Sequence, residues 1–436
     1  MTLRTARWVV LLVPAAVYFF SYFHRVAPAV VAADVMRAFA VGAAALATLA
    51  AVYPYVFAAM ALVAGTLADS LGPRWTLTLG GVTMGVGAAL FGLAPTFAVA
   101  VAARLLVGLG ASVVLIAWLS LAADWFRPRE FATLSGFTQA VGNVGALVAS
   151  SPLALLVDAV GWRRTFVIIG AVTLGLAALA AALVRDRPDA VGLPPVNAER
   201  AHRPRPGLRG TLRSIPPVVT NRRTWPPVLF AGGIYAGLIT FMGLWGVPYL
   251  TQVHGLTRVQ AANLVALVAL GLCAGSPLAG WLSDRWLGVR RLPMLVLGAL
   301  FTVCWVPLVM PADPRVPVTV LAPFLFLMGV TGSGLVLVWA CVREVNDPDR
   351  VGIAVGFVNV PIFLGFALFQ WLTGAVLDAR WTGLAAEGTR LYPVDAYRAV
   401  FALCLAVSAA AVAAGWFVTE THGRNVWRRS DIGVSA

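Results

Sequence analysis

The chain has 436 residues, of which 60% are hydrophobic and only 11% are charged. A soluble domain carries about 25% charged residues, and here the deficit runs the length of the chain. Lipid must therefore surround much of the folded surface. The apolar runs are about 20–28 residues long and rich in Ala, Leu, Val and Gly, which predicts helical spans rather than the short alternating segments of a membrane β-barrel.

The net charge of +14 comes entirely from arginine, because all 32 basic residues are Arg. Most of them lie in short loops between apolar runs, as expected for charges that orient a membrane protein, so no nucleic-acid partner is predicted. The lack of lysine excludes a P-loop lysine, a Schiff base and a lysine general base. The four cysteines lie inside apolar runs without paired spacing and are interpreted as small core residues.

The apolar runs predict twelve transmembrane helices. The first six are expected at about 8–33, 43–68, 75–94, 97–123, 131–157 and 162–184. The second six are expected at about 226–252, 257–283, 291–310, 315–342, 350–377 and 397–419. The predicted fold is an all-α integral membrane protein with two pseudo-symmetric six-helix bundles. Residues 1–184 form the first bundle, 185–225 an Arg/Pro-rich cytoplasmic linker, and 226–436 the second bundle with a short tail.

Loop arginines predict the orientation of the chain. With the N-terminus inside, the inner segments hold 22 arginines and the outer segments 8, and two more lie within spans. This bias predicts that both termini are cytoplasmic. The Arg-only, Ala-rich composition further favours a multi-pass protein of a bacterial inner membrane.

The two halves of the sequence repeat one another. Asp69 follows span two and Asp284 follows span eight, 215 positions later. Asp158 ends span five and Asp378 ends span eleven, 220 positions later. Matching offsets near half the chain length indicate a duplicated six-helix unit.

A polar segment after span two has the composition of a conformational latch. Gly65 permits close helix approach, and Asp69 is placed to pair with Arg74 or to meet a helix N-terminus. Gly72 is expected in the turn into span three. A second copy follows span eight, and it consists of Gly280, Asp284, Arg285, Gly288 and Arg290.

These paired segments resemble the signature of the major facilitator superfamily, although Ser70 replaces the basic residue usual at that place. Arg104 with Gly108 and Gly110 resembles the family's span-four motif, and Gly161-Trp162-Arg163 also fits. The resemblance implies alternating access by two six-helix bundles, with spans 1, 4, 7 and 10 lining a central cavity. It does not indicate a substrate.

Ionisable residues inside a membrane are costly and so indicate functional sites. Three are predicted within spans here: His24, Arg25 and Arg104. Arg25 and Arg104 lie at similar depth, and two guanidinium groups without a carboxylate repel each other unless an anion joins them. Tyr18, Tyr22 and Arg25 stand at i, i+4 and i+7, on one helical face. This face suits a carboxylate or a phosphate.

Alternatives remain open for each of these residues. The family motif implies that Arg104 bonds backbone carbonyls of a neighbouring helix. His24 is a candidate for carrying a coupling proton or, as a neutral ring, for a structural hydrogen bond. The segment at Tyr22–Arg25 also resembles the span-one arginine region of organic anion and organophosphate carriers. Their second cavity arginine, in span seven, is missing here, which favours a single carboxylate over phosphate.

Other polar or aromatic residues are candidates for substrate contact. They serve equally well as packing contacts between helices. They are Trp118, Gln139, Asn143, Tyr235, Trp245, Asn263, Trp339, Asn359 and Gln370.

The function predicted from the sequence is secondary transport of a small organic anion, such as an organic acid or an amino acid, by a monomer in the lipid bilayer. A proton-coupled exporter of drugs or metabolites is the first alternative, and a solute-binding sensor without transport is the second. No cluster of metal-binding residues and no paired carboxylates occur within the spans, so neither an enzyme nor a metal or other cofactor is predicted.

Overall fold

The computed structural model of the chain covers most of the sequence. It describes residues 3–60, 63–126, 131–194, 196, 216–310, 317–347, 351–386 and 389–427. The predicted site residues Gly65, Asp69 and Gln139 lie outside the described side chains, and much of the predicted linker lies outside the described residues.

The described chain is helical in both halves of the sequence. The first nine helices are α1 (Leu3–Val26), α2 (Ala32–Phe39), α3 (Ala43–Met60), α4 (Val63–Ser70), α5 (Pro73–Leu93), α6 (Phe97–Trp125), α7 (Phe131–Val148), α8 (Ser151–Val160) and α9 (Trp162–Leu183). The later helices are α10 (Pro216–Thr220), α11 (Trp225–Thr240), α12 (Gly246–Gln252), α13 (Arg258–Trp281), α14 (Arg291–Val303), α15 (Val306–Val309), α16 (Val318–Gly332), α17 (Leu337–Val345), α18 (Val351–Ala379) and α19 (Val394–Gly415). Strands β1 (Ala385–Ala386) and β2 (Thr389–Arg390) form a short antiparallel hairpin.

Several helices join into longer spans. A π-helical turn at Phe241–Trp245 connects α11 to α12, and a 3-10 turn at Ser333–Val336 connects α16 to α17. Within the described residues, twelve helical stretches are long and apolar enough to cross a membrane. The twelve-span, all-α membrane fold predicted from the sequence is confirmed.

Two glycines set the start of long helices. Gly72 has φ 82° and precedes Pro73 at the start of α5, while Gly161 has φ 80° and precedes α9. L-residues with a side chain rarely adopt this backbone region, whereas glycine does so without steric cost. The turn predicted at Gly72 is therefore present.

The described chain divides into two compact units. The first comprises residues 1–27 and 59–210, and the second comprises residues 28–58 and 211–436. Helices α2 and α3 are thus grouped with the second unit, although α1 before them and α4 after them belong to the first. The six-plus-six division of the chain stays a prediction.

Glycine contacts bring the helices of the first unit close together. A Cβ at Gly110 of α6 would collide with the backbone of Gly80 in α5, and a Cβ at Gly170 of α9 would lie 2.8 Å from the carbonyl oxygen of Gly85. In a membrane, where lipid is as apolar as the side chains, such close van der Waals contact holds helices together. Helix α5 therefore lies between α6 and α9.

Close contacts at glycines also hold helices of the second unit together. A Cβ at Gly271 of α13 would collide with the backbone of α16, and a Cβ at Gly374 of α18 would collide with α3. The rings of Phe57 and Phe363 also stack between α3 and α18, with centroids 4.5 Å apart. These contacts attach α3 to the second unit.

Asp378, at the end of α18, caps the N-terminus of α3. Its two carboxylate oxygens accept the backbone N–H groups of Ala43 and Ala44 at 2.9 and 2.8 Å. The phenol of Tyr392 donates to the same carboxylate at 2.7 Å, and Arg390 pairs with it at 3.3 Å. Burial raises the pKa of Tyr392, and the Asp378 carboxylate raises it further, so this phenol keeps its proton. A carboxylate at a helix N-terminus satisfies open donors and complements the helix dipole.

Asp378→Asn is expected to lower stability by about 1–2 kcal/mol, because the amide loses the charge and one acceptor for the α3 amides. The apparent melting temperature in detergent is expected to fall by about 1–2 °C, because the entropy of unfolding grows with chain length. Asp395→Asn is the matched control, since its carboxylate is 79% exposed and pairs with Arg398 on the surface of α19. Equal melting temperatures for the two variants would contradict a stabilising cap.

Candidate functional site

Three side chains of α1 form the candidate site. The guanidinium carbon of Arg25 lies 4.2 Å from the centroid of the Tyr22 ring. That ring meets Tyr18 edge-on, with centroids 5.3 Å apart. The three side chains therefore share one face of α1, as their spacing predicts. Arg25 is 9% exposed, and a cation over an aromatic ring is bound more strongly when water is excluded.

Aromatic residues of α6 and α7 support this face within the first unit. The indole of Trp118 in α6 packs against Tyr18 at 5.4 Å, and Phe137 of α7 packs against the indole at 6.1 Å. Trp118 is almost fully buried, so its indole packs beneath Tyr18 and holds that ring in place. The candidate Asn143 of α7 is half-buried in the same unit.

Arg104 of α6 contacts the backbone of α1. Its Nη1 donates to the carbonyl oxygen of His24 at 3.1 Å, and the residue is 2% exposed. This is the backbone contact that the family motif implies. Of the two arginines predicted within spans, Arg104 thus ties two helices together, whereas Arg25 lies over an aromatic ring.

His24 is fully buried on another side of α1. Its imidazole lies among the rings of Phe20, Phe23 and Phe166, with centroids 5.6–6.5 Å away. Neither ring nitrogen has a hydrogen-bond partner among the described residues. The proton-coupling role of His24 stays a prediction.

The second unit holds the remaining candidates. Tyr235 packs edge-on against Phe363 and Phe366. Trp245 is fully buried, and its indole N–H donates to the Thr373 hydroxyl at 3.0 Å, a contact between helices. Substrate contact by Trp245 therefore has no support from this geometry. Trp339 and Asn359 are half-buried, and their roles stay predictions.

In the first predicted latch, Arg74 contacts the end of α9. Its backbone N–H donates to Asp186 at 2.7 Å, and its Nε donates to the carbonyl oxygen of Ala181 at 3.1 Å. Asp186, which lies between two arginines of the linker, was not predicted as part of this contact. An acidic residue within such a basic segment was the feature of the sequence that could have indicated this contact.

The second predicted latch contains a buried charge network. The Arg290 guanidinium bonds Asp284, the Ser283 hydroxyl at 2.9 Å and the Glu344 carboxylate at 2.9 Å. Burial alone would lower the pKa of Arg290, but the bonds to Glu344 and Asp284 outweigh it and raise that pKa. Gly288 has φ 63°, whereas Arg285 is exposed. Asp284 and Arg290 of the predicted latch thus contact each other, and the latch role stays a prediction; Glu344 was not predicted as part of it.

Glu420 in the second unit accepts backbone N–H groups of the predicted latch, as Asp186 does in the first unit. Its carboxylate accepts the backbone N–H groups of Arg290 and Arg291 at 2.8 and 2.9 Å. Burial raises the pKa of Glu420, but these backbone hydrogen bonds outweigh it and lower that pKa. Asp186 and Glu420 follow corresponding spans, six and twelve, so the sequence repeat was the signal that could have located them.

A comparison with protein families shows which family the chain belongs to. The model of the Major Facilitator Superfamily matches residues 15–340 and 241–430. The chain belongs to this superfamily. Members are secondary transporters rather than enzymes, and the twelve-span fold with its bacterial relatives makes the protein a multi-pass protein of the inner membrane.

Similar proteins in bacteria cover most of the chain. The probable sulfoacetate transporter SauU of Cupriavidus necator is 26% identical over 81% of this chain and 83% of its own length. The membrane sensor protein UhpC of Salmonella typhimurium is 26% identical over 84% of this chain and 83% of its own length. Other relatives, 23–24% identical, are described as hexose phosphate, L-galactonate and hexuronate transporters. The solved structure of a bacterial Spinster homologue in an inward-facing, unoccupied conformation shares the fold, with TM-score 0.73, 18% identity and coverage of 95% and 96%.

Proposed function

We propose that the protein carries a small organic anion and that Arg25 binds the anionic group. The observation that carries this proposal is the position of Arg25. Its guanidinium carbon lies 4.2 Å from the centroid of the Tyr22 ring, and the residue is only 9% exposed. Arg104 donates to the backbone of α1, the role that the family motif implies for it. A planar guanidinium fork binds carboxylate, sulfonate or phosphate oxygens through two parallel N–H groups.

A carboxylate is the anion that the residues favour. The sequence from 226 to 252, which contains most of α11 and all of α12, has no arginine, lysine or histidine. The organophosphate carriers that Tyr22–Arg25 resembles have a second arginine in that span, and its absence here favours a carboxylate over a phosphate dianion, which needs more positive charge for compensation. The relatives described as L-galactonate and hexuronate transporters are named for solutes with a single carboxylate, whereas others are named for hexose phosphates or sulfoacetate. The proposed substrates are therefore organic acids, including sugar acids, and amino acids.

A second candidate function is binding without transport. The membrane sensor protein UhpC matches this chain as extensively as the transporter relatives do. A sensor would keep the anion site at Arg25 and lose net movement of the solute. The two functions thus differ in transport but not in binding.

Uptake into proteoliposomes tests the proposal. The panel is D-glucuronate, L-galactonate, sulfoacetate, an amino acid, glucose 6-phosphate, neutral glucose and a cationic drug, with protein-free liposomes as the control. Saturable uptake of a carboxylate supports the carrier, and comparing uptake with and without a proton gradient decides whether transport is coupled to protons. Thermal stabilisation by a carboxylate without uptake or exchange supports the sensor. Transport of only neutral or cationic compounds would overturn the anion proposal and favour the exporter.

A further inference from the structure

The Tyr22 ring lies directly on the backbone of α7. A Cβ built at Gly142 would stand 3.0, 3.1 and 3.2 Å from the Cδ2, Cε2 and Cγ atoms of that ring. One turn further along α7, a Cβ at Gly145 would collide with the carbonyl oxygen of Phe19. The bare backbone of Gly142 therefore provides the space that the Tyr22 ring occupies.

The same ring fixes the cation of the candidate site. Its neighbours include the backbone of Gly142, the edge-on ring of Tyr18 and the guanidinium of Arg25. A methyl group at Gly142 would force the ring to move by several tenths of an ångström, because contacts of 3.0–3.2 Å are too close for carbon atoms. The attraction between a cation and a ring depends on the distance and on the position over the face, so a displaced Tyr22 ring would alter the position of the Arg25 guanidinium.

We propose that Gly142 is a positioning residue for anion binding: it sets the place of the Tyr22 ring, and the ring orients the Arg25 fork toward the anion. The inference rests on the proposed function. A guanidinium in a fixed plane meets both oxygens of a carboxylate at once, whereas a guanidinium free to turn forms one hydrogen bond at a time. Gly142 thus acts on affinity through Tyr22 and does not touch the substrate.

A double-mutant cycle on the panel substrate with the highest uptake tests this inference. Gly142→Ala is expected to raise KM about tenfold and to leave kcat within about twofold, since it alters binding rather than the movement of the loaded carrier. Tyr22→Leu is expected to raise KM by a similar factor. In the Tyr22→Leu background, Gly142→Ala is expected to add nothing, because the ring that it displaces is gone.

Gly175→Ala is the control, since a Cβ on that glycine of α9 meets no atom within 4 Å. An unchanged KM in Gly142→Ala, or equal effects with and without the Tyr22 ring, would overturn the inference. If Gly142→Ala cannot be purified folded, Tyr22→Leu alone decides, and an unchanged KM in that variant overturns it. Failure of the proposed function is distinguishable from failure of this inference, because the wild-type protein would then neither bind nor carry any anion of the panel.

Discussion

Replacing Arg25 with alanine is expected to weaken anion binding and uptake about 100-fold or more. Two charge-assisted hydrogen bonds are lost, each worth about 1.5–3 kcal/mol where water is excluded, and each 1.4 kcal/mol is a factor of ten in affinity. The measurement is uptake by proteoliposomes, together with ligand-induced stabilisation of the purified protein.

Arg25→Lys separates charge from geometry. The ammonium keeps the charge but has neither the flat fork nor the planar contact with Tyr22, so we expect affinity between that of the wild type and that of the alanine variant. Arg164→Ala is the matched control, because Arg164 is an exposed arginine of α9 in the same unit. Full anion uptake by Arg25→Ala would show that the guanidinium holds the helix rather than the substrate, as Arg104 does.

The face of α1 was predictable because it depends on local geometry alone. Side chains at i, i+4 and i+7 share a helix face wherever the helix lies, so Tyr18, Tyr22 and Arg25 come together without knowledge of the fold. The twelve spans were predictable for a similar reason, since the length of a span follows from the thickness of the hydrocarbon layer. The backbone contact of Arg104 required more, and it came from the resemblance to the superfamily.

The missed residues make contacts across long stretches of sequence. Asp186 lies 112 positions from Arg74, and Glu420 lies 130 positions from Arg290. Periodicity tells which face of a helix is apolar, but it does not tell which neighbour covers that face. For the same reason, periodicity did not predict the grouping of α3 with the second unit or the hydrogen bond from Trp245 to Thr373.

Loss of the Glu344 carboxylate is expected to lower the stability of the second unit strongly. Its carboxylate is 3% exposed and accepts from the Arg290 guanidinium, which is 9% exposed, at 2.9 Å. It also accepts the Thr421 hydroxyl. Glu344→Ala would leave the buried guanidinium with the neutral Ser283 hydroxyl and with Asp284, whose side chain is 59% exposed. Removing one partner of a buried ion pair costs about 3–5 kcal/mol, because the remaining charge stays out of water.

The expected result is a marked drop in apparent melting temperature and in thermal half-life for Glu344→Ala, with a smaller drop for Glu344→Gln. Arg343→Ala is the matched control: its guanidinium is 60% exposed and lies 4.0 Å from the same carboxylate, so its loss should cost less than about 1 kcal/mol. The double variant Arg290→Met with Glu344→Leu discriminates further. If the cost of the single variant reflects an uncompensated charge, removing both charges should restore most of the stability. A double variant no more stable than Glu344→Ala would instead assign the cost to lost packing around the network.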